Sequence, residues 1–184
     1  MILYIAIAVA LIINIINPRI LWRIDSWKYK NASKAEPSPL YLFLCRGLSL
    51  LGVVILIMAV YFRPMNLTDL VDRNSKLRIT QQYMGVKNGE PYIDSEGYNE
   101  LSEEQLESIF TLFQQYTYRR TYDTLFSDGS LSNLGERMII FFVYEDDELV
   151  NTLIVSDTGR ISVNDKSYIM QNSPELIRRV SEII

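Results

Sequence analysis

The feature that most constrains this chain is a pair of apolar stretches within its first 62 residues. Met1–Ile16 carries one strongly polar side chain, Asn14, and Leu40–Phe62 runs for 23 residues broken by Arg46 and the small Ser49 and Gly52. A bilayer core of about 30 Å takes about 20 apolar residues at helical rise. The second stretch meets that requirement alone. The first meets it when continued through Asn17, Pro18 and Ile20 to Trp22, with Pro18 expected to kink the helix or end it early. Trp22 and Trp27 then fall at the lipid–water boundary, where aromatic side chains concentrate. The expected N-terminal unit is therefore a two-span transmembrane hairpin over residues 1–63. Two other arrangements stay open: a buried helical hairpin of a soluble protein, and a single span preceded by a re-entrant or interfacial segment. A cleaved signal peptide fits poorly, because its positive charge precedes the apolar run and here the charge follows it.

Charge divides the chain at the same place. Residues 1–63 hold seven basic groups against two acidic ones, a balance of +5; the remaining residues hold 11 basic against 20 acidic ones, a balance of −9. Five of the basic groups, Arg19, Arg23, Lys28, Lys30 and Lys34, lie in the short loop 17–39 between the two stretches. The positive-inside rule holds that loop in the cytoplasm and places both termini outside, as in a multi-pass protein of the cell membrane. Arg46 lies about one and a half turns into the second stretch, from where it snorkels back to the cytoplasmic surface. The competing role for it is an intramembrane partner for an acidic group or a lipid phosphate. Cys45, the single cysteine, sits in the same apolar run as a filler or a palmitoylation site.

The hairpin reads Asn17-Pro18, Trp22, Trp27, Lys30, Glu36-Pro37-Ser38, Tyr41, Arg46 and Gly52. It resembles a family of small two-span membrane proteins of unknown function, found mainly in Gram-positive bacteria. In that family an Asn-Pro and a Trp pair close the first span, and a Pro-Ser-x-x-Tyr and an Arg open the second. The resemblance covers about the first third of the chain and implies a bacterial envelope location. It implies no activity. The short first stretch with Asn14 departs from the pattern.

Beyond a polar connector at 64–75, the pattern changes to alternating strands and helices. Leu77, Ile79, Gln81 and Tyr83 alternate with polar neighbours, the mark of a half-buried strand. Asn88-Gly89 is a hairpin turn, and Pro91 restricts the returning strand to a sheet edge. Ser102-Glu103-Glu104-Gln105 is a capping box, followed at helical spacing by Leu106, Ile109, Phe110, Phe113 and Tyr116. Thr117–Phe126 is expected to be a strand closed by a turn at 127–130. Arg137–Tyr144, Leu149–Ser156, Gly159–Val163 and Ser167–Met170 then follow with joints so short that consecutive strands must be antiparallel neighbours. Ser173-Pro174 opens a last helix, with Ser173 expected as its N-cap. The expected fold of residues 76–184 is α+β, an antiparallel meander sheet packed by two helices. It is similar to small extracytoplasmic domains of bacterial lipoproteins and membrane-tethered envelope proteins, notably in Tyr118-Arg119-Arg120-Thr121 with Leu125-Phe126-Ser127 and in Ile161–Tyr168.

The chemistry is sparse. With no histidine and one cysteine, zinc-finger, His-based triad, Cys–His dyad and haem-attachment arrangements are excluded. The acidic outer domain has no basic stripe for nucleic acid. Glu145–Glu148 puts four carboxylates in one turn, which reads as a solvated hairpin tip rather than a calcium loop. No metal or cofactor is expected. Asp123, Asp128, Glu136 and Asp157 could supply a carboxylate pair for acid–base hydrolysis. Among binding groups, Arg120 shares strand parity with Tyr118 and Tyr122, and a guanidinium beside aromatic rings holds carboxylate, phosphate or glycan groups. An edge-strand arginine guarding against sheet association is the duller account. The sequence thus predicts a non-enzymatic, membrane-anchored envelope protein with an outer binding, sensor or accessory domain, its partners the bilayer and another envelope protein or wall component. The alternative is a membrane-linked hydrolase or transferase using carboxylates.

Overall fold

A computed structural model describes residues 2–25, 36–126 and 135–184. Trp27, Lys28, Lys30, Lys34, Asp128 and the turn expected at 127–130 lie outside them. The chain divides into two compact units, Met1–Tyr61 and Phe62–Ile184.

In the first unit, α1 (Ile2–Ile16) is followed by α2 (Pro18–Asp25) and α3 (Pro39–Tyr61). The residues of the sequence motif act as caps. Asn17 Oδ1 accepts the Arg19 amide at 3.2 Å, and Pro18 takes the first helical position, where no amide is needed. Ser38 Oγ likewise accepts the Tyr41 amide at 3.2 Å with Pro39 next in line. Because Asn17-Pro18 starts a new helix, α1 and α2 are bent by 105° and do not continue as one straight helix to Trp22. α1 alone is about 22 Å long at 1.5 Å per residue, short of a bilayer core. α3, with 23 residues, reaches about 34 Å and is the one helix among the described residues long and apolar enough by itself to cross a membrane. α1 packs on α3 through small and polar groups. Asn14 donates to Ser49 Oγ at 2.6 Å and to the Cys45 carbonyl at 3.4 Å, and a Cβ on Gly52 would stand 3.1 Å from Leu11.

The second unit is α+β. Its strands are β1 (Met65–Asn66), β2 (Lys76–Lys87), β3 (Glu90–Ser95), β4 (Asn99–Glu100), β5 (Thr117–Arg119), β6 (Arg137–Glu145), β7 (Glu148–Ser156), β8 (Arg160–Val163) and β9 (Lys166–Met170). They form one antiparallel sheet in the order β1-β5-β9-β8-β7-β6-β2-β3, with β4 also on β2. The meander β6 to β9 is as expected, and β3 with Pro91 is an edge. Three hairpins turn through paired positive-φ residues, Asn88-Gly89, Asp146-Asp147 and Asn164-Asp165. That conformation suits the twist of two-residue hairpins, and Asn, Asp and Gly adopt it at least cost.

Two helices, α4 (Glu103–Phe113) and α5 (Ser173–Ser181), share a core with one sheet face. Strand period 2 puts Leu77, Ile79, Ile139, Phe141, Val143, Leu153, Val155 and Ile161 on that face, opposite Ile109, Phe113, Leu176 and Val180. Phe113 meets Phe141 edge-on at 5.2 Å. The α4 capping box forms as read, Ser102 Oγ accepting the Gln105 amide at 3.3 Å.

Four details differ from the sequence expectation. Residues 64–75 are not merely a polar connector, since β1 joins the sheet and Leu67 and Val71 are buried in the core. β4 was not anticipated. The strand expected at Thr117–Phe126 stops at Arg119, because Thr124 Oγ1 accepts the Thr121 amide at 2.8 Å and donates to its carbonyl at 3.1 Å, winding Tyr122–Thr124 into a 3₁₀ turn. The last helix is capped by Asn172 at φ 61°, while the fully buried Ser173 hydroxyl donates to the Ser156 carbonyl at 2.6 Å, tying α5 to β7.

Candidate functional site

The alternation that buries Leu77, Ile79, Phe141 and Val143 turns Arg78, Phe142 and Tyr144 to the other face of β2 and β6. There they line a cleft of about 500 Å³ together with Tyr98, Glu100 and Leu149. Cross-strand pairing builds it: Arg78 lies opposite Phe142 and Glu100, and Tyr144 opposite Leu149. The Arg78 guanidinium sits 4.8 Å from the centre of the Tyr144 ring and its Nε lies 3.9 Å from Glu100 Oε2. Tyr98 and Phe142 pack at 5.5 Å with their planes tilted by 56°. At the rim, Lys76 bonds Asp147 at 2.9 Å; the bond holds the lysine above its ordinary pKa and the aspartate below its own.

The lining offers aromatic faces, an aliphatic side chain, one guanidinium and one carboxylate, with no nucleophile beside a base. The long, solvent-open contact between Arg78 and Glu100 leaves both groups hydrogen-bonding capacity for a ligand. Sequence reading missed the cleft because Met138–Tyr144 is one nearly continuous apolar run, in which the two faces cannot be told apart by polarity. The available signal was the pair of aromatic residues, Phe142 and Tyr144, in phase with Arg78 once register is known.

The residues singled out from sequence are placed differently. Tyr118 is buried on β5 and meets Tyr168 edge-on at 5.0 Å; Arg120 donates to the Tyr168 hydroxyl at 3.2 Å and lies over its ring. Tyr118 and Arg120 thus converge on Tyr168. Burial, with the neighbouring Tyr168 and Asp69 adding to it and Arg120 opposing, pushes the Tyr118 phenol up to about 12. Tyr122 is exposed and its ring lies 4.9 Å from that of Phe62. Arg46 is exposed on α3 and Trp22 is half-buried on α2. Of the four carboxylates, Asp123 and Glu136 are on the surface, and Asp157 accepts the Arg137 amide at 3.2 Å. Among the described residues no three acidic or cysteine side chains gather as a metal site.

Fold and site together define a two-part chain, an apolar helical unit joined to an antiparallel α+β domain with an aromatic cleft. Residues 3–63 match the model of a family of unknown function, DUF6199. No curated protein and no solved structure matches the chain.

Proposed function

We propose that this chain is a membrane-anchored, non-enzymatic envelope protein that displays the α+β domain outside the cell membrane as a binding, sensor or accessory module. The observation that carries the reading is α3. It is 23 residues long, Ser49 is its one buried side chain among the described residues, and Leu48, Leu51, Val54 and Ile57 stand open on its surface. A core helix of a soluble protein buries such residues; a lipid-facing helix does not. In this account α1, the bent α2 and α3 form the two-span hairpin, with α2 lying in the cytoplasmic interface and the basic loop beside it. Asn14 and Ser49 satisfy one another between the helices, as polar groups in a bilayer must.

Binding is assigned to the Arg78–Tyr144–Glu100 cleft, with another envelope protein or a wall component as ligand. The surface positions of Asp123 and Glu136, and the backbone bond of Asp157, favour binding over carboxylate-based hydrolysis. Alkaline carbonate extraction of membranes from cells making the full chain tests the anchor. The protein is expected to stay in the membrane pellet; release into the supernatant contradicts the reading.

A further inference from the structure

The loop that follows β5 carries two exposed aromatic side chains. Tyr122 is 70% exposed and Phe126 is 92% exposed, whereas apolar aromatic side chains of the sheet and helices, Phe113 and Phe141, are wholly buried. Exposure of a single phenylalanine is ordinary. What distinguishes this loop is where the pairing of strands holds it. β1 and β5 are antiparallel with Met65 opposite Tyr118. Carried three residues further, that register brings Phe62 opposite Thr121, and the rings of Phe62 and Tyr122 are 4.9 Å apart. Phe62 is the residue after Tyr61, the last residue of the apolar helix α3, so one peptide unit of about 3.8 Å separates them. The loop is therefore fastened to the point at which the chain leaves its apolar helix.

We propose that Tyr122 and Phe126 form, with Phe62, an aromatic contact of the α+β domain with the outer membrane–water interface. This rests on the membrane-anchor reading above. Tyrosine suits the headgroup level because its ring is apolar and its hydroxyl wet, and phenylalanine lies just below it. Arg63, exposed beside Phe62, faces the lipid phosphates from the same place. Tyr122 on this account is a lipid contact rather than part of a ligand patch with Arg120.

The test uses the full chain in nanodiscs, with Trp22→Phe and Trp27→Phe removing both native tryptophans. Phe126→Trp then supplies the sole indole, at an exposed site that tolerates it, and Leu50→Trp in α3 is a separate control. Emission is compared in discs of plain and acyl-brominated phosphatidylcholine. The proposal predicts blue-shifted emission from Trp at 126 and loss of most of its intensity in brominated discs, as for the control. Water-like, unquenched emission at 126 beside a quenched control overturns the lipid contact and leaves the anchor standing. Blue-shifted but unquenched emission overturns it too, since protein then covers the loop. If the control is also unquenched, the anchor reading fails and this inference falls with it.

Discussion

The Asn14 amide donates to the Ser49 hydroxyl at 2.6 Å, joining α1 to α3 at the one side chain of α3 that is buried among the described residues. In water such a bond competes with solvent; in hydrocarbon each partner has few other places to turn. Interhelical bonds of this type contribute about 0.6 kcal/mol on average and up to about 2 kcal/mol. Asn14→Leu should therefore weaken the hairpin within that range, because Ser49 retains a fallback bond to its own helix backbone. Reversible unfolding of the full chain in mixed micelles reads the loss. A stabilised variant would mean that the pair is not buried in an apolar setting.

Two aromatic residues separated by one peptide bond, Phe141 and Phe142, face opposite ways. Phe141→Ala removes a fully buried ring packed on Phe113 and should cost about 3–5 kcal/mol. Tyr98→Ala, which strips the ring lying on Phe142 at the cleft rim, should cost about 1 kcal/mol or less. Thermal unfolding of the two variants side by side checks the assignment of faces. Equal losses would contradict it.

Gly135 has φ 87°, and a Cβ placed there would run into the Asp157 carboxylate and the Thr158 methyl group. Both the backbone conformation and the space demand glycine. Gly135→Ala should destabilise the α+β domain by about 1–3 kcal/mol. The Asp157 bond to the Arg137 amide should break with it, which amide exchange at Arg137 would report. Unchanged exchange would show that the loop absorbs the methyl elsewhere.

Tyr118 predicts an alkaline weakness. Its phenol is pushed from an ordinary 10 to about 12 in the folded protein, so the unfolded chain loses its proton first as pH rises. The stabilisation of the neutral form is complete below pH 10 and disappears between about pH 10 and 12, a loss of about 2–3 kcal/mol. Melting temperature should fall over that window, and Tyr118→Phe should flatten the fall. A Tyr118→Phe profile as steep as the parent's would assign the loss to other groups.

Much of this fold was legible because its signals are local. Asn88-Gly89, the acidic Glu145–Glu148 turn and Asn164-Asp165 fix three hairpins through the conformations those residues accept, and a meander follows from their shortness. Pro18 was legible as a kink or stop in the first helix, whereas Pro37-Ser38 entered only through the family resemblance. What stayed hidden is decided at a distance. β1 and β4 are two-residue strands that exist only because β5 and β2 offer them edges, and no pattern so short is readable. Thr117–Phe126 has strand composition throughout, yet one threonine hydroxyl folds its second half into a turn. That turn is what separates Tyr122 from the strand parity that had grouped it with Tyr118 and Arg120. The cleft was hidden for a related reason, because Arg78, Tyr98, Glu100 and Tyr144 are assembled by cross-strand register.

The central claim is that α3 crosses a membrane and carries the α+β domain to the outside. The most direct measurement replaces Cys45 with alanine and the exposed Ser95 with cysteine, then treats intact cells making the full chain with a membrane-impermeant maleimide. The account predicts labelling at position 95 before lysis. Labelling only after lysis would contradict it, placing the domain in the cytoplasm and the basic loop 17–39 outside.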